Sequence, residues 1–355
     1  MPAAAGKSFV EGPPRVSVAP MMDWTDRHCR YFLRLFAPDV LLYTEMITAQ
    51  AILRGPRAAL LRFSPAEQPV AAQLGGSDPA QLAQAARAAQ EAGYCEINLN
   101  CGCPSDRVSA GAFGACLMLD PARVADCVHA MRAAVTVPVT VKLRIGVVDR
   151  AAEGGGAAAA AAMQRFDERD FAQLSGFMSG CVEAGAGALI VHARKAVLGG
   201  FSPHENRTVP PLRFDVVERA RQALPGVPVI VNGGLRECAA VLEALHRYDG
   251  VMIGREAYHR PWLLAELQQA LHPAPQWRPP DAGEVLEHMR AYARAETSQG
   301  TPLQAVTRHM LGLMGGRAGA RAYRTLMSQQ AQRGMPLEEL FDRARELCRE
   351  SDGVD

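Results

Sequence analysis

Eight short apolar runs, each bounded by turn residues, recur between Arg15 and Ile253, and they constrain the fold more than any other feature of the chain. They are Arg15–Met22, which ends in a Pro turn, Val40–Thr44, Val70–Leu74 before Gly75 and Gly76, and Cys95–Asn100. Val137–Leu143, Ala188–Val191, Val227–Val231 before Asn232, Gly233 and Gly234, and Gly250–Ile253 before Gly254 and Arg255 complete the series. Helical stretches lie between them, such as the Ala-rich Pro79–Ala92, which stops at Gly93, and Pro121–Ala134. Eight strand–helix units over about 250 residues predict an α/β fold, a TIM (β/α)8 barrel, whose active site gathers at the carboxyl ends of its strands.

The residues at those ends then carry the chemistry. The run Glu96-Ile97-Asn98-Leu99-Asn100-Cys101-Gly102-Cys103-Pro104-Ser105 alternates aliphatics with amides and then turns at Gly102 and Pro104. That frame leaves the Cys103 thiol at a strand end, a good place for a proton donor. Cys-x-Cys lacks the second ligand pair that a zinc site needs, so no metal is expected.

Of 38 basic residues, only Lys7, Lys142 and Lys195 are lysine. A chain that uses Arg nearly everywhere has kept Lys142 and Lys195 where a compact ammonium matters. Nine scattered cysteines suit a reducing compartment, and neither a signal peptide nor a long apolar span is evident, so the cytoplasm is expected and no membrane. A net charge of +1 means that any nucleic-acid partner must be held by local patches. Residues 151–164, with three glycines and a run of alanines, read as a low-complexity insertion in a surface loop without chemistry.

A Pro-rich linker at 273–280 separates a catalytic domain, 1–272, from a helical domain, 281–355, in which Leu286, Met289, Ala293, Val306, Met310, Leu313 and Met314 recur at helical spacing. Between His288 and Arg333 the only acid is Glu296, against Arg290, Arg294, Arg308, Arg317, Arg321, Arg324 and Arg333. So uneven a balance points to phosphate-backbone contact.

Small-residue turns after the last two strands, Asn232-Gly233-Gly234 and Gly254-Arg255, suit a phosphate. Gln73, Asn98, Lys142 and His192 offer amide, ammonium and imidazole groups to a planar heterocycle. Flavin mononucleotide meets both demands; a Schiff base on Lys142 is the competing chemistry.

Together Val18-Ala19-Pro20-Met21-Met22-Asp23-Trp24-Thr25-Asp26-Arg27, Gln73-Leu74-Gly75-Gly76, Asn98 to Ser105, Val141-Lys142-Leu143-Arg144-Ile145-Gly146, Val191-His192-Ala193-Arg194-Lys195 and Asn232-Gly233-Gly234 resemble the tRNA-dihydrouridine synthases. Asp23-Trp24 with Arg27 to Phe32, and Arg308-His309-Met310-Leu311-Gly312, are similar to the branch acting on D-loop uridines 20 and 20a. The resemblance implies an FMN-binding barrel with Pro20, Met21 and Met22 lining the flavin and Gln73, Lys142 and His192 contacting its ring system or tail. It places Asn232, Gly233, Gly234, Gly254 and Arg255 on the phosphate, Cys103 as the acid and Asn100 beside the substrate base. It also implies tRNA contacts at His204 and Arg207 and, in the helical domain, at Arg321 and Arg324. Cys101 stands where an aliphatic residue is usual, and His204 where Lys is more common.

The implied reaction has two halves: NADPH reduces FMN, then hydride passes to C6 of a uracil flipped out of the tRNA while Cys103 protonates C5 on the opposite face. Thiols of ordinary acidity are mostly protonated at neutral pH and can serve as acids. The chain is expected to act as a monomer. An FMN barrel reducing a free pyrimidine or other small molecule, and a non-catalytic flavin-containing RNA-binding factor, are the alternatives; the arginine-rich tail speaks against the first.

Overall fold

The computed structural model describes residues 15–105, 111, 113–273 and 276–352. Lys7 and part of the Pro-rich segment lie outside them. The chain forms two compact units, the first made of Met1–Met21, Leu41–Phe63 and Pro69–Ile253 and the second of Met22–Val40, Ser64–Gln68 and Gly254–Asp355.

The first unit is a closed barrel. Its strands, in chain order, are β1 (Arg15–Val18), β2 (Leu41–Thr48), β3 (Val70–Gly75), β4 (Glu96–Cys101), β5 (Val139–Arg144), β7 (Ala188–His192), β9 (Val229–Asn232) and β10 (Gly250–Ile253), and all eight expected strands are present. They pair in parallel around the ring β1-β10-β9-β7-β5-β4-β3-β2. Parallel strands are covered on both faces, which is why they read as apolar runs. Ala71, Ala188, Ile190, Ile230, Met252 and Tyr43 form one buried cluster of this unit.

The flanking helices start where the sequence signals them. Asp78 accepts from the Gln81 N–H at 2.9 Å ahead of the helix Pro79–Glu91, and Asp120 does the same for Pro121–Ala134 at 3.1 Å. Ala85, Ala86 and Ala89 lie fully buried on the first of these helices, small enough for its backbone to lie close against its neighbours.

Two further strands were not anticipated: β6 (Val147–Asp149) and β8 (Ala196–Leu198) pair in a separate parallel ribbon. The Ala/Gly-rich insertion is also not a plain loop. Gly156–Gln164 is a helix that buries Ala159, Ala162 and Met163 against Val148, Val197 and Phe201. Alanine is the strongest helix former, so a run of it that finds an apolar surface folds. Lys195 serves this lobe rather than the rim: its ammonium meets the Ala162 carbonyl at 3.0 Å and Asp170 at 3.0 Å.

The second unit is helical, and its periodic residues Leu286, Met289, Ala293, Val306, Met310, Leu313, Met314, Leu340 and Phe341 are all buried. It also includes the helix Arg27–Arg34, which follows the first strand in sequence. Arg27 pairs with Glu296 at 2.5 Å, and Tyr31 stacks on Tyr292 with ring centroids 4.0 Å apart. The Pro-rich segment therefore runs within this unit, whose edge is at Gly254.

The arginine excess is smaller than the sequence window suggested. Arg290 pairs with Asp342 at 2.6 Å, Arg294 with Glu338 at 2.7 Å and Arg308 with Asp26 at 2.7 Å, all acids from outside that window. Arg317 lies over the Trp262 ring, 5.0 Å from its centroid. Arg321 and Arg324, on the helix Ala320–Thr325, stay exposed, and neither guanidinium forms an ion pair among the described residues.

Candidate active site

Strand register brings the amide- and charge-bearing residues to one end of the barrel. Gln73 aligns with Asn98 and Asn98 with Thr140; Asn100 aligns with Lys142; Arg144 aligns with His192 and His192 with Asn232. Since successive side chains alternate between faces, these residues point inward in layers.

Cys103 follows β4 and is half-buried. Its backbone N–H and that of Gly102 both donate to Asn100 Oδ1 at 3.0 Å, so the loop is pinned to the strand that precedes it. The Asn100 amide nitrogen donates to Gln73 Oε1 at 2.8 Å, and Gln73 Nε2 to Asn98 Oδ1 at 2.8 Å. Asn98, expected on the rim, is fully buried and donates to Thr140 Oγ1 at 2.8 Å. Below it, the Thr140 hydroxyl donates to Glu96 Oε1 at 2.7 Å, and the Tyr43 hydroxyl donates to the same oxygen.

Lys142 is half-buried, and its ammonium donates to Asn232 Oδ1 at 3.1 Å. The Asn232 amide in turn donates to the Met252 carbonyl at 2.7 Å, which fixes its orientation. Burial, and then the neighbouring charge of Arg144, pull the Lys142 pKa down to about 7, against a raising influence from Cys103. Burial, followed by the charges of Arg144, Lys142, Arg194 and Arg207, holds the His192 imidazole well below its ordinary value. His192 is therefore neutral at pH 7, in a strongly positive setting made for an anion.

Arg144, a strand-end residue to which no role was given, ties three segments together. Its guanidinium donates to the carbonyls of Gly102 at 3.0 Å, Lys195 at 3.2 Å and Asn206 at 2.8 Å. Asn206 is fully buried and exchanges hydrogen bonds with the Val197 backbone at 2.8 and 3.0 Å. This anchors the short helix Glu205–Thr208, beside which His204 stands exposed and on which Arg207 is exposed. Burial is the main reason that the Arg144 pKa falls to about 10, so it remains charged.

The residues present fit a flavin phosphate and ring. His192 Nδ1 is buried and has no hydrogen-bond partner among the described residues. Gly233 has φ of +111°, and a Cβ there would crowd His192 Nε2 at 3.1 Å, so only glycine leaves the imidazole its place. Pro20 and Met21, just after β1, are part-buried. Met22, Gly254 and Arg255 belong to the second unit, where Met22 is exposed, and Arg321 and Arg324 are there too. Among the described residues, no group of three His, Cys, Asp or Glu side chains could hold a metal ion, and no helix is long and apolar enough to cross a membrane.

Sequence reading missed Glu96, Thr140 and Tyr43. The one available signal was a carboxylate opening a buried strand that otherwise alternates aliphatics with amides, since a buried acid must find partners.

The dihydrouridine synthase family profile matches residues 17–347. The chain is similar to a Xanthomonas campestris pv. campestris protein named tRNA-dihydrouridine(20/20a) synthase, 51% identical over 330 residues, 93% of this chain and 92% of the relative. Relatives of the same name from Pseudomonas aeruginosa, 46% identical over 333 residues, and Pasteurella multocida, 47% over 330, are each covered to 95% of their length, by 94% and 93% of this chain. A barrel rim with a Gly/Pro-framed thiol, matched along almost the whole chain by that family, leaves one conclusion: this chain belongs to the dihydrouridine synthases.

Proposed function

We propose that this protein reduces uridine to 5,6-dihydrouridine in the D-loop of tRNA, at positions 20 and 20a, using FMN as its resident cofactor and NADPH as reductant. It does so as a cytoplasmic monomer. The observation that carries the reading is the Cys103 thiol at the barrel rim, its loop pinned by Asn100 and, through the Gly102 carbonyl, by Arg144.

When bound, FMN supplies the hydride that adds to C6 of the base. Lys142, Gln73 and His192 hold its ring system and tail, with Pro20 and Met21 lining it; Met22 joins that lining on the family resemblance alone. Asn232, Gly233 and Gly234 take its phosphate; Gly254 and Arg255 are added to that set on the family resemblance alone. The Lys142 ammonium, with two hydrogens to spare beyond its bond to Asn232, stabilises negative charge at the rim.

Cys103 holds the other half of the reaction, a proton at Sγ delivered to C5 on the opposite face. Asn100 lies beside the base while it fixes the Cys103 backbone. The uracil must leave its stack to arrive there, and D-loop uridines do so at low cost. His204 and Arg207 on one unit, and Arg321 and Arg324 on the other, contact the RNA backbone.

The test is nucleoside mass spectrometry of tRNA from cells lacking the protein, followed by treatment of that tRNA with purified holoenzyme and NADPH. Loss of dihydrouridine at 20 and 20a, restored in vitro, is expected. Unchanged tRNA from the deletion strain, with reduction of a free pyrimidine by the purified enzyme, would replace this reading with the small-molecule reductase.

A further inference from the structure

The hydrogen bonds running from the Cys103 loop down to Glu96 form one chain, and its direction is set at both ends. Backbone N–H groups can only donate, so the Asn100 atom that faces Gly102 and Cys103 must be Oδ1. Its nitrogen then faces Gln73, whose oxygen must receive it; the Gln73 nitrogen next faces Asn98, whose oxygen must receive that. The Asn98 nitrogen reaches Thr140, which accepts and so has its single proton left for Glu96.

At the lower end Glu96 Oε1 takes two hydroxyls, from Thr140 and Tyr43, and demands the same direction. One flipped amide would set N–H against N–H, or oxygen against oxygen. Glu96, Asn98 and Thr140 are 0% exposed, Gln73 1% and Asn100 8%, so no water is at hand to repair such a mismatch. A core that needed only to be filled would use apolar residues here; five consecutive polar side chains aligned on one loop do something more.

We propose that Glu96 and Thr140 are positioning residues for Cys103: through Asn98, Gln73 and Asn100 they hold the Asn100 amide in the one orientation that fixes the Gly102–Cys103 backbone and aims the thiol. The proposal rests on Cys103 being the proton donor of the reaction proposed above. Neither residue touches substrate.

The test uses the full-length holoenzyme. Thr140→Val keeps the shape but removes both acceptor and proton, Thr140→Ser keeps both, and Glu96→Gln can present an N–H where an acceptor is required. Measured quantities are single-turnover uridine reduction at saturating tRNA, tRNA affinity, and amide hydrogen exchange in the peptide holding Gly102 and Cys103. Thr140→Val and Glu96→Gln are expected to slow turnover by about 10- to 100-fold, the scale of a small misplacement at a reacting group, with tRNA affinity within about twofold and faster exchange at the loop. Thr140→Ser should recover the rate to within about threefold, because the hydroxyl relay survives. Should Thr140→Val fail to fold, Thr140→Ala, which also removes both the acceptor and the proton, takes its place. Parental turnover in Thr140→Val and Glu96→Gln, alongside slow turnover in Cys103→Ala, would overturn this proposal by itself. Parental turnover in Cys103→Ala would overturn it together with the assignment of the acid.

Discussion

Asp26 and Arg308 lie 282 residues apart in sequence, yet Asp26 Oδ2 accepts from Arg308 Nη2 at 2.7 Å. His309 Nε2 is 3.0 Å from the same oxygen, while Asp26 Oδ1 caps the helix Arg27–Arg34 by accepting from the His28 and Cys29 N–H groups, each at 3.0 Å. The two segments that resemble the 20/20a branch are thus parts of one arrangement within the second unit. Gly312 completes it, since a Cβ there would meet the His259 carbonyl at 2.6 Å.

This pairing gives a stability prediction. Burial pushes the Asp26 carboxyl up, but His309, the Cys29 N–H and Arg308 together pull it well below its ordinary value. A carboxyl whose folded pKa is depressed stabilises above its unfolded value and loses that contribution as pH falls toward the folded one. Asp26→Asn should therefore lower unfolding free energy at pH 7 by about 1–3 kcal/mol, the penalty for partners left unmatched, and by less at about pH 3. Urea unfolding at both pH values measures it; a gap that stays constant would show that the charge does not matter.

Cys103→Ala should bind FMN and accept electrons from NADPH as the parent does, while dihydrouridine formation falls by about 10²-fold or more, the usual scale for loss of a general acid. Stopped-flow reduction and nucleoside analysis separate the two halves. Parental product yield would move the acid elsewhere.

Lys142 costs the empty protein stability. Its folded pKa of about 7 lies below the ordinary 10.5, so the unfolded chain holds more protons between those values and stability rises with pH across that window. Lys142→Met should make the flavin-free protein more stable than the parent at pH 6, by up to a few kcal/mol, with the advantage shrinking from about pH 7 toward 10.5. The same variant should hold flavin more weakly or at a lower reduction potential. Unchanged stability, occupancy and potential together would remove Lys142 from the site.

Arg321 and Arg324 lie three apart on one helical face and have no acidic partner among the described residues, unlike Arg290, Arg294 and Arg308. Arg321→Ala/Arg324→Ala should keep its flavin and its reduction by NADPH, bind tRNA more weakly, and show a salt dependence shallower by about one log–log unit per lost phosphate contact. Parental affinity at every salt concentration would place the RNA clamp elsewhere.

The eight barrel strands were legible because burial on both faces writes itself into a run of apolar residues, and strand ends inherit their positions from that count. Cys103, Lys142 and Asn100 stood out for local reasons: a Gly/Pro frame, a rare lysine, an amide on an apolar strand. The poly-Ala helix Gly156–Gln164 was not legible, since whether alanines fold depends on an apolar surface supplied by Val148, Val197 and Phe201.

What the sequence by itself determined is therefore the periodic part, the barrel and the identity of its rim residues, because period and turn chemistry are local properties. Only the tertiary structure decided who partners whom. It matched Arg308 with Asp26 and Arg290 with Asp342, and it lined up Thr140, Asn98, Gln73 and Asn100 between Glu96 and Cys103. Those pairings cross three strands or join residues 52 and 282 positions apart, and hydrogen bonding depends on distances of a few tenths of an ångström that no spacing along a sequence encodes.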